Sequence, residues 1–398
     1  MKKIAIVSSF SDSCGNAYFT KILMDSMKSS GVQVECLSLN LLLTQSINAD
    51  VRKKADSHID AICKSLKDFD GVNIQFEAGL YGTMPADIVK RVCKLVSANP
   101  NTSVTLHSPR LINDSASQRE AIKQALKLRL KTAINMYFSE LRKNLSAKIN
   151  VRIIKYLAKN NINLIVHTLR AKEQIELFFN YTNVHVHPLK IVDEHHQLSS
   201  DVFDKIKDEY NIKEHDKIIG MFGFVNEYKG HSLAIQALSY LPSNYKLMIF
   251  GRQHPQTIKN NEIVNQYIHT LQEKIRENGQ IKSRVFFMGE YDNEDFINIA
   301  ASVDYVWLPY VENGQDGSGI ASICMDVSKR VLCSSSFAFD ELFRLVPDYN
   351  NYARFDIGNY LELASKTLHF IPNKINRVSD EKYTLKSQAE LYINLSVK

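Results

Sequence analysis

Short unbroken apolar runs recur along the chain, separated by stretches whose apolar residues return every three or four positions. IAIVSSF (4–10), VNIQF (72–76), SVTLH (103–107) and NLIVH (163–167) form one series. KIIGMFGFV (217–225), YKLMIF (245–250), RVFFMG (284–289) and DYVWLPY (304–310) form a second. Runs this short without polar alternation predict strands buried on both faces, and strands alternating with helical stretches predict parallel sheets. After the first run comes the polar turn Cys14-Gly15-Asn16-Ala17, then helical spacing through Phe19, Leu23 and Met27. After KIIGMFGFV comes NEYKGHS (226–232), then helical spacing through Leu233, Ile235, Leu238 and Leu241. Each half opens as strand, glycine-bearing loop, helix. The expected fold class is α/β, with two Rossmann-like, doubly wound domains facing a central cleft; a single doubly wound sheet is the alternative.

Glycine placement sharpens the division. Of fifteen glycines, five lie at 15, 31, 71, 79 and 82, ten lie between 220 and 358, and none occurs from 83 to 219. Sharp strand-to-helix turns draw on glycine, so two glycine-bearing regions predict two separately wound units. The domains are expected at 1–193 and 194–374, meeting near EHHQLSSD (194–201). A final helical segment over 375–398 starts at Ser379-Asp380-Glu381. A length of 398 residues suits two domains of ~100–200 residues each. With 44% hydrophobic and 23% charged residues, the composition excludes disordered, collagenous and coiled-coil classes. Six cysteines without a CxxC pair predict neither a disulfide framework nor a metal site. The apolar run after Met1-Lys2-Lys3 is short for a signal peptide, and no window reaches the ~18 apolar residues of a membrane span, so a cytoplasmic protein is expected.

Charge is uneven. From 111 to 160 there are eleven basic residues and three acidic ones, a local +8 within a chain whose net is +6, so the remainder is slightly acidic. The same segment has apolar residues near every fourth position, which predicts helix, over more than one element. Such a basic helical region is suited to an anionic membrane surface or a diphosphate-lipid acceptor. An ordinary solvated helix face is the equal alternative. Its basic residues are not interleaved with an aromatic stacking platform, so no nucleic-acid partner is expected.

The strongest candidate site is Pro309-Tyr-Val-Glu-Asn-Gly-Gln-Asp-Gly-Ser-Gly319, between an apolar strand and the helical stretch IASICMDVSK (320–329). Ligands of open α/β sheets bind beyond the carboxyl ends of strands, and a glycine loop entering a helix offers N–H groups to phosphate or sugar oxygens. Glu312 and Asp316 add carboxylates to that loop. Lys229 stands just before a helix start, against the helix dipole, which an anionic partner would explain; a solvated lysine is the equal alternative. His107 ends one strand and His167 another; each is either a ligand-facing histidine or a satisfied structural one. Asp68-Phe69-Asp70 has the DxD spacing of some metal-diphosphate sites but precedes a strand, and reads better as a turn. No GxxxxGK[ST] or GxGxxG is present.

With these residues in view, the order of features resembles the GT-B-fold glycosyltransferases of family 4, the group 1 transferases. GMFGFVNEYKGHSLAIQAL (220–238) is similar to the strand, Lys-Gly loop and helix that open that family's C-terminal domain. LMIFG (247–251), the strand ending at Gly289 and the acidic glycine loop after Pro309 follow in the family's order. The resemblance is clearest over 215–341 and weaker over 1–110. It implies a glycosyltransferase of hexosyltransferase type, moving a sugar from a nucleotide-diphosphate donor to an acceptor hydroxyl. Retention of configuration, no cofactor and no metal are also implied. A saccharide or lipid-linked acceptor of bacterial surface polysaccharide or glycolipid assembly is expected, with a location at or near the inner face of the membrane. The final helix would cross back to the N-terminal, acceptor-side domain.

The resemblance also implies roles. Lys229 neutralises the donor diphosphate. Gly317, Ser318 and Gly319 contact donor sugar and phosphate, and Asp316 holds the sugar hydroxyls, with Glu312 as the alternative carboxylate. His107 faces the transferred sugar. Gly15 and Asn16 line the donor from the first glycine loop, and Glu290 and Tyr291 lie where the base rests. Two positions depart from the pattern. Cys324 stands where a ribose-holding glutamate falls, and Phe224 where an arginine is usual; Arg252 is the candidate replacement. Those departures keep open a non-catalytic sugar-binding or partner subunit. A sugar-nucleotide epimerase is a further alternative.

Overall fold

The structure, a computed structural model, describes residues 1–10, 15–111, 126, 130–253, 266–311, 316–345, 351–370 and 382–397, with the side chains of 130–144 outside that description. The chain divides into two compact units. One is Met1–Pro188 together with Leu385–Lys398, and the other is Leu189–Thr384.

The first unit is built on a six-stranded sheet: β1 (Lys3–Ser8), β2 (Gln33–Ser38), β3 (Gly71–Phe76), β4 (Thr102–Leu106), β5 (Asn163–Val166) and β6 (Val184–Val186). Its spatial order is β2-β1-β3-β4-β5-β6, with every pairing parallel. Ile4, Ala5, Ile6 and Val7 are fully buried, as a strand covered on both faces requires. The crossovers between strands are helical. Gly15–Ser29 follows β1, Ala49–Ser65 is capped by Asn48, Pro85–Val96 opens on a proline, and Leu169–Phe179 is capped by Thr168. Side-chain caps and an N-terminal proline satisfy or remove amides that a helix start leaves orphaned.

The helix Leu130–Lys159 runs for 30 residues in one piece. Ile149, Ile153, Ile154 and Leu157 are buried, so its C-terminal half carries the expected apolar stripe into the core. Most of the basic segment 111–160 lies outside the residues whose side chains are described. No described helix is long and apolar enough to cross a membrane.

The second unit repeats the plan with β7 (Lys217–Phe222), β8 (Tyr245–Phe250), β9 (Val285–Gly289), β10 (Tyr305–Leu308), β11 (Val331–Ser334) and β12 (Tyr352–Phe355). The order is β12-β11-β10-β7-β8-β9, again parallel throughout. Counted from β7 this is the 3-2-1-4-5-6 arrangement of doubly wound nucleotide-binding sheets. Its core gathers Ile219, Leu247, Ile249, Trp307 and Leu332, with the helix His231–Leu238 packed over them. The division into two doubly wound sheets is as expected from the apolar runs.

The C-terminal helix is Leu385–Ser396, and Lys382–Thr384 before it are not helical. The expected start at Ser379-Asp380-Glu381 lies outside the described residues. This helix packs on the first unit's sheet through polar groups. Tyr392 accepts from Thr105 at 3.2 Å, Ser396 and Ser103 share a hydrogen bond at 2.8 Å, and Asn163 donates to the Leu395 carbonyl at 2.9 Å. Ser26 donates to the Leu385 carbonyl at 2.8 Å. The approach is close enough at Gly71 that a Cβ there would stand 1.8 Å from the Ser396 carbonyl oxygen.

Gly71→Ala is therefore expected to push the C-terminal helix off the sheet, destabilising the protein by ~1–3 kcal/mol as overpacking does. Urea unfolding and limited proteolysis at the C-terminus check it; an unchanged midpoint and cleavage pattern would refute the tight docking.

Candidate active site

In the second unit the winding reverses between β7 and β10, and the crevice at such a reversal, beyond the carboxyl ends, is where doubly wound sheets take ligands. Two loops meet there. The loop after β7 runs from Gly223 to Gly230, and the loop after β10 begins at Pro309. They touch through main chain. Gly230 adopts φ of +76°, and a Cβ on it would lie 1.9 Å from the Pro309 carbonyl oxygen. The Val311 amide donates to the Tyr228 carbonyl at 2.9 Å. Only glycine accepts both that conformation and that contact.

Lys229, held by this junction, is 5% exposed. Its ammonium donates to the Tyr310 hydroxyl and lies 4.2 Å from the Tyr310 ring centre and 5.2 Å from that of Tyr228. Tyr310 in turn shares a 2.9 Å hydrogen bond with Ser318 Oγ. Ser318 caps the helix Gly319–Val327 by accepting from the Ala321 amide at 3.2 Å. The first intrahelical bond runs from the Ser322 amide to the Ser318 carbonyl, so the amides of Gly319 and Ile320 precede it at the positive end of the helix dipole. Asp316 is buried just before Gly317. The sequence-expected Lys229, Asp316, Gly317, Ser318 and Gly319 thus share one end of one sheet. Glu312 lies outside the described residues.

Burial pulls the Lys229 pKa from its ordinary 10.5 down to about 7, with the neighbouring Cys324 acting the other way. It pushes the Tyr310 hydroxyl well up and the Cys324 thiol up to about 12. Cys324 is fully buried in the helix Gly319–Val327, so its side chain has no route to a ligand's ribose.

Beyond β8 and β9, Arg252 pairs with Glu290 at 3.0 Å and lies 6.0 Å from the Phe224 ring centre. Tyr291 meets Phe250 edge-on at 5.7 Å. These residues form their own cluster, with Arg252's charge answered by a carboxylate.

In the first unit the reversal lies between β1 and β3. Gly15 and Asn16 begin the helix that follows β1, and Asn16's carbonyl accepts from Thr20 at 2.8 Å. Phe19, one turn on, meets His107 edge-on at 5.7 Å and His167 at 6.0 Å. His107 Nδ1 and His167 Nε2 are 3.0 Å apart, with the rings 4.9 Å between centres. His107 Nε2 faces Gln75 Oε1 at 2.7 Å, and His167 Nδ1 faces the His187 carbonyl at 3.1 Å. Burial lowers the pKa of both, that of His167 to about 4. Next to them Ser108 donates to Glu77 at 2.7 Å, and burial raises the Glu77 carboxyl while Ser108 and Arg110 oppose it. Asp70 accepts from the Lys3 amide at 2.7 Å, at the amino ends of the strands, which removes the DxD reading.

The sequence did not single out Gln75, Glu77 or Tyr310, and it left His167 without neighbours. Their common signal is position: each stands at or near the carboxyl end of a predicted strand. Among the described residues no group of His, Cys, Asp and Glu side chains comes together that could hold a metal ion.

This paired arrangement of doubly wound sheets is that of the GT-B fold. HepE from Anabaena, solved in complex with UDP, aligns over 99% of this chain and 97% of its own at a TM-score of 0.62 and 14% identity. A glycosyltransferase from Rickettsia africae aligns over 100% and 94% at 0.60 and 13%. A UDP-forming α,α-trehalose-phosphate synthase from Burkholderia xenovorans, in complex with glucose-6-phosphate, aligns over 98% and 99% at 0.62 and 10%. In sequence the chain matches no family model and no curated protein.

The folded chain binds fewer protons than the unfolded one between pH ~7 and ~10.5, because burial lowers Lys229's pKa across that range. Stability contributed at this position therefore rises with pH through that window, and the cost is full below it. Lys229→Met is expected to stabilise the ligand-free protein at pH 6–7 by an amount on the order of a few kcal/mol that shrinks towards pH 10. Thermal melts of both proteins across pH check it; a pH-independent difference would refute the buried-ammonium assignment.

Proposed function

We propose that the protein is a glycosyltransferase of the family 4 kind, transferring a sugar from a nucleotide-diphosphate sugar to an acceptor hydroxyl with retention. The observation that carries this is Lys229. It is an ammonium buried at the sheet's reversal point, surrounded by a phenol and aromatic faces, and drawn down to about pKa 7 by lost hydration. An anion entering that crevice recovers the charge interaction that burial removed. The helix N-terminus at Gly319 adds a dipole aimed at the same place.

In this reading Lys229, Tyr310 and the amides at Gly319 stabilise the departing diphosphate, where most of the transition-state charge develops. Asp316, with Glu312 as the alternative, holds hydroxyls of the donor sugar. Gly15, Asn16 and His107 contribute from the first unit, and Glu290 and Tyr291 lie beside the base. Arg252, paired with Glu290 at 3.0 Å in the ligand-free protein, is the candidate replacement for the arginine that Phe224 displaces. The bound ligands of the fold neighbours, UDP in HepE and glucose-6-phosphate in the synthase, support a nucleotide-sugar donor and a sugar acceptor. The +8 balance of residues 111–160 supports an anionic lipid-linked acceptor at a membrane surface, as in surface polysaccharide or glycolipid assembly.

Turnover of a panel of UDP, GDP and ADP sugars tests the reading, with NMR of the product anomer testing retention. Lys229→Ala is expected to lower kcat/KM by ~100-fold or more. UDP affinity of the wild type is expected to weaken as pH rises above ~7, where Lys229 loses its proton. Full activity in Lys229→Ala would sink the site; binding without turnover would favour a non-catalytic subunit, and conversion of the donor alone an epimerase.

Sedimentation with liposomes is expected to show binding only when anionic lipid is present. Equal, negligible binding with and without it would reject the membrane role.

A further inference from the structure

The first unit buries a chain of hydrogen-bonding atoms whose proton count does not close in the neutral state. It runs from Gln75 Oε1 to His107 Nε2, from His107 Nδ1 to His167 Nε2, and from His167 Nδ1 to the His187 carbonyl oxygen. Both ends are oxygens that only accept. Three hydrogen bonds then need three protons on four ring nitrogens, and two neutral imidazoles carry two. With Gln75 in this orientation the pair must be an imidazolium, which burial disfavours.

One neutral arrangement satisfies every contact. The His187 carbonyl is main chain and cannot change role, so His167 must carry its proton on Nδ1. Its Nε2 then accepts, and His107 must donate from Nδ1. His107 Nε2 is left as an acceptor, and Gln75 must turn its amide to present N–H. The surroundings permit that turn. Gln75 Nε2 lies 2.6 Å from Asn73 Oδ1, and Asn73 Nδ2 lies 2.9 Å from Ser103 Oγ and 3.2 Å from Thr105 Oγ1. If both amides turn together, Asn73 donates to Gln75 and accepts from the two hydroxyls, Tyr392 then donating to Thr105 and Ser396 to Ser103.

We propose that Gln75 and His167 are positioning residues of a one-way relay that holds His107 Nε2 as the hydrogen-bond acceptor for a hydroxyl of the bound sugar, Gln75 swinging away to release it. This rests on the transferase reading for the identity of the ligand, and on the hydrogen-bond geometry alone for the direction of the relay. Both ring nitrogens of His107 are engaged within the chain, so a ligand hydroxyl gains access only by replacing Gln75, and it must do so as a donor. The relay thus selects a hydroxyl over an ether or carbonyl oxygen at that point. Among the described residues the titratable groups around the pair are His187 beyond His167, Tyr392 of the helix Leu385–Ser396 beyond Thr105, and Glu77 with Arg110 beyond Ser108; Phe19 meets both rings edge-on. None of these supplies a carboxylate directly to either ring, so the neutral pair is the resting form.

Long-range proton–nitrogen NMR of the full chain labelled in histidine reads the tautomers directly, with His107→Gln and His167→Gln giving the assignments. In the ligand-free wild type at pH 7 both rings are expected to carry the proton on Nδ1 and to stay neutral well below the usual histidine range. Gln75→Glu offers only acceptor oxygens and is expected to protonate His107 Nε2 at neutral pH. His167→Leu is expected to release the tautomer preference of His107, whereas His167→Gln, whose amide both accepts and donates, preserves it. A proton on His107 Nε2 in the wild type overturns the relay, whatever the variants do. So does a folded Gln75→Glu protein with unchanged His107 signals. In kinetics with whichever donor of the panel is turned over, Gln75→Glu is expected to lower kcat/KM more than tenfold and to shift its acid limb upward in pH; an unchanged profile overturns the ligand-facing role. Absence of any turnover in the wild type, with the expected tautomers present, would sink the transferase reading while leaving the direction of the relay intact.

Discussion

The contact of Gly230 with the Pro309 carbonyl is the constraint on which the second unit's crevice depends. It joins the loop after β7 to the loop after β10 at main-chain distance, across the point where the sheet's winding reverses. Everything polar in the crevice follows from it. Lys229 is carried inward by the residue beside it, Tyr310 meets its ammonium, and Ser318 links that phenol to the helix cap. A side chain at position 230 would separate the loops and return Lys229 to water, where an ammonium is an unremarkable surface charge. Here burial makes it a group whose protonation is worth several times more to a bound anion than to the empty protein.

The two units solve the same packing problem with different chemistry. Both bury parallel strands on two faces, and both gather polar groups at the carboxyl ends. The second unit assembles a cation, hydroxyls and a helix N-terminus, an anion-seeking set. The first assembles histidines, amides and hydroxyls in which no net charge is needed and the direction of each hydrogen bond carries the information. Such a network is strong only when complete, which is why the orientation of two side-chain amides matters to a ring at the edge of the sheet.

The strongly apolar strands could be placed from the sequence because burial on both faces leaves a continuous signal: β3, β4, β5, β7, β8, β9 and β10 all coincide with runs identified there. β2 escaped because it alternates and is half exposed, and β11 (Val-Leu-Cys-Ser) and β12 (Tyr-Ala-Arg-Phe) because polar residues cut their apolar runs short. Lys229 could be singled out because it sits where a helix dipole repels it. The histidine relay could not. Gln75 is hidden in a buried strand, and His107 and His167 are 60 residues apart, joined only when β4 and β5 pair. Tyr310 was equally silent, since an aromatic residue after a strand is ordinarily core. Arg252 was named as a replacement cation from its position alone, and position says nothing of Glu290 beside it.

The polar docking of Leu385–Ser396 has a consequence for how the chain acquires its shape. The first sheet's hydroxyl and amide groups on β3 and β4 find partners in Tyr392 and Ser396, which are synthesised after the whole of the second unit. Until then Ser103 and Thr105 lack those partners, and the first unit cannot be completed ahead of the synthesis of the second. Domains of a nascent chain commonly fold in order of appearance. In this protein the whole second unit is synthesised before the segment that completes the first, so the polar network on β3 and β4 closes only once Leu385–Ser396 has followed.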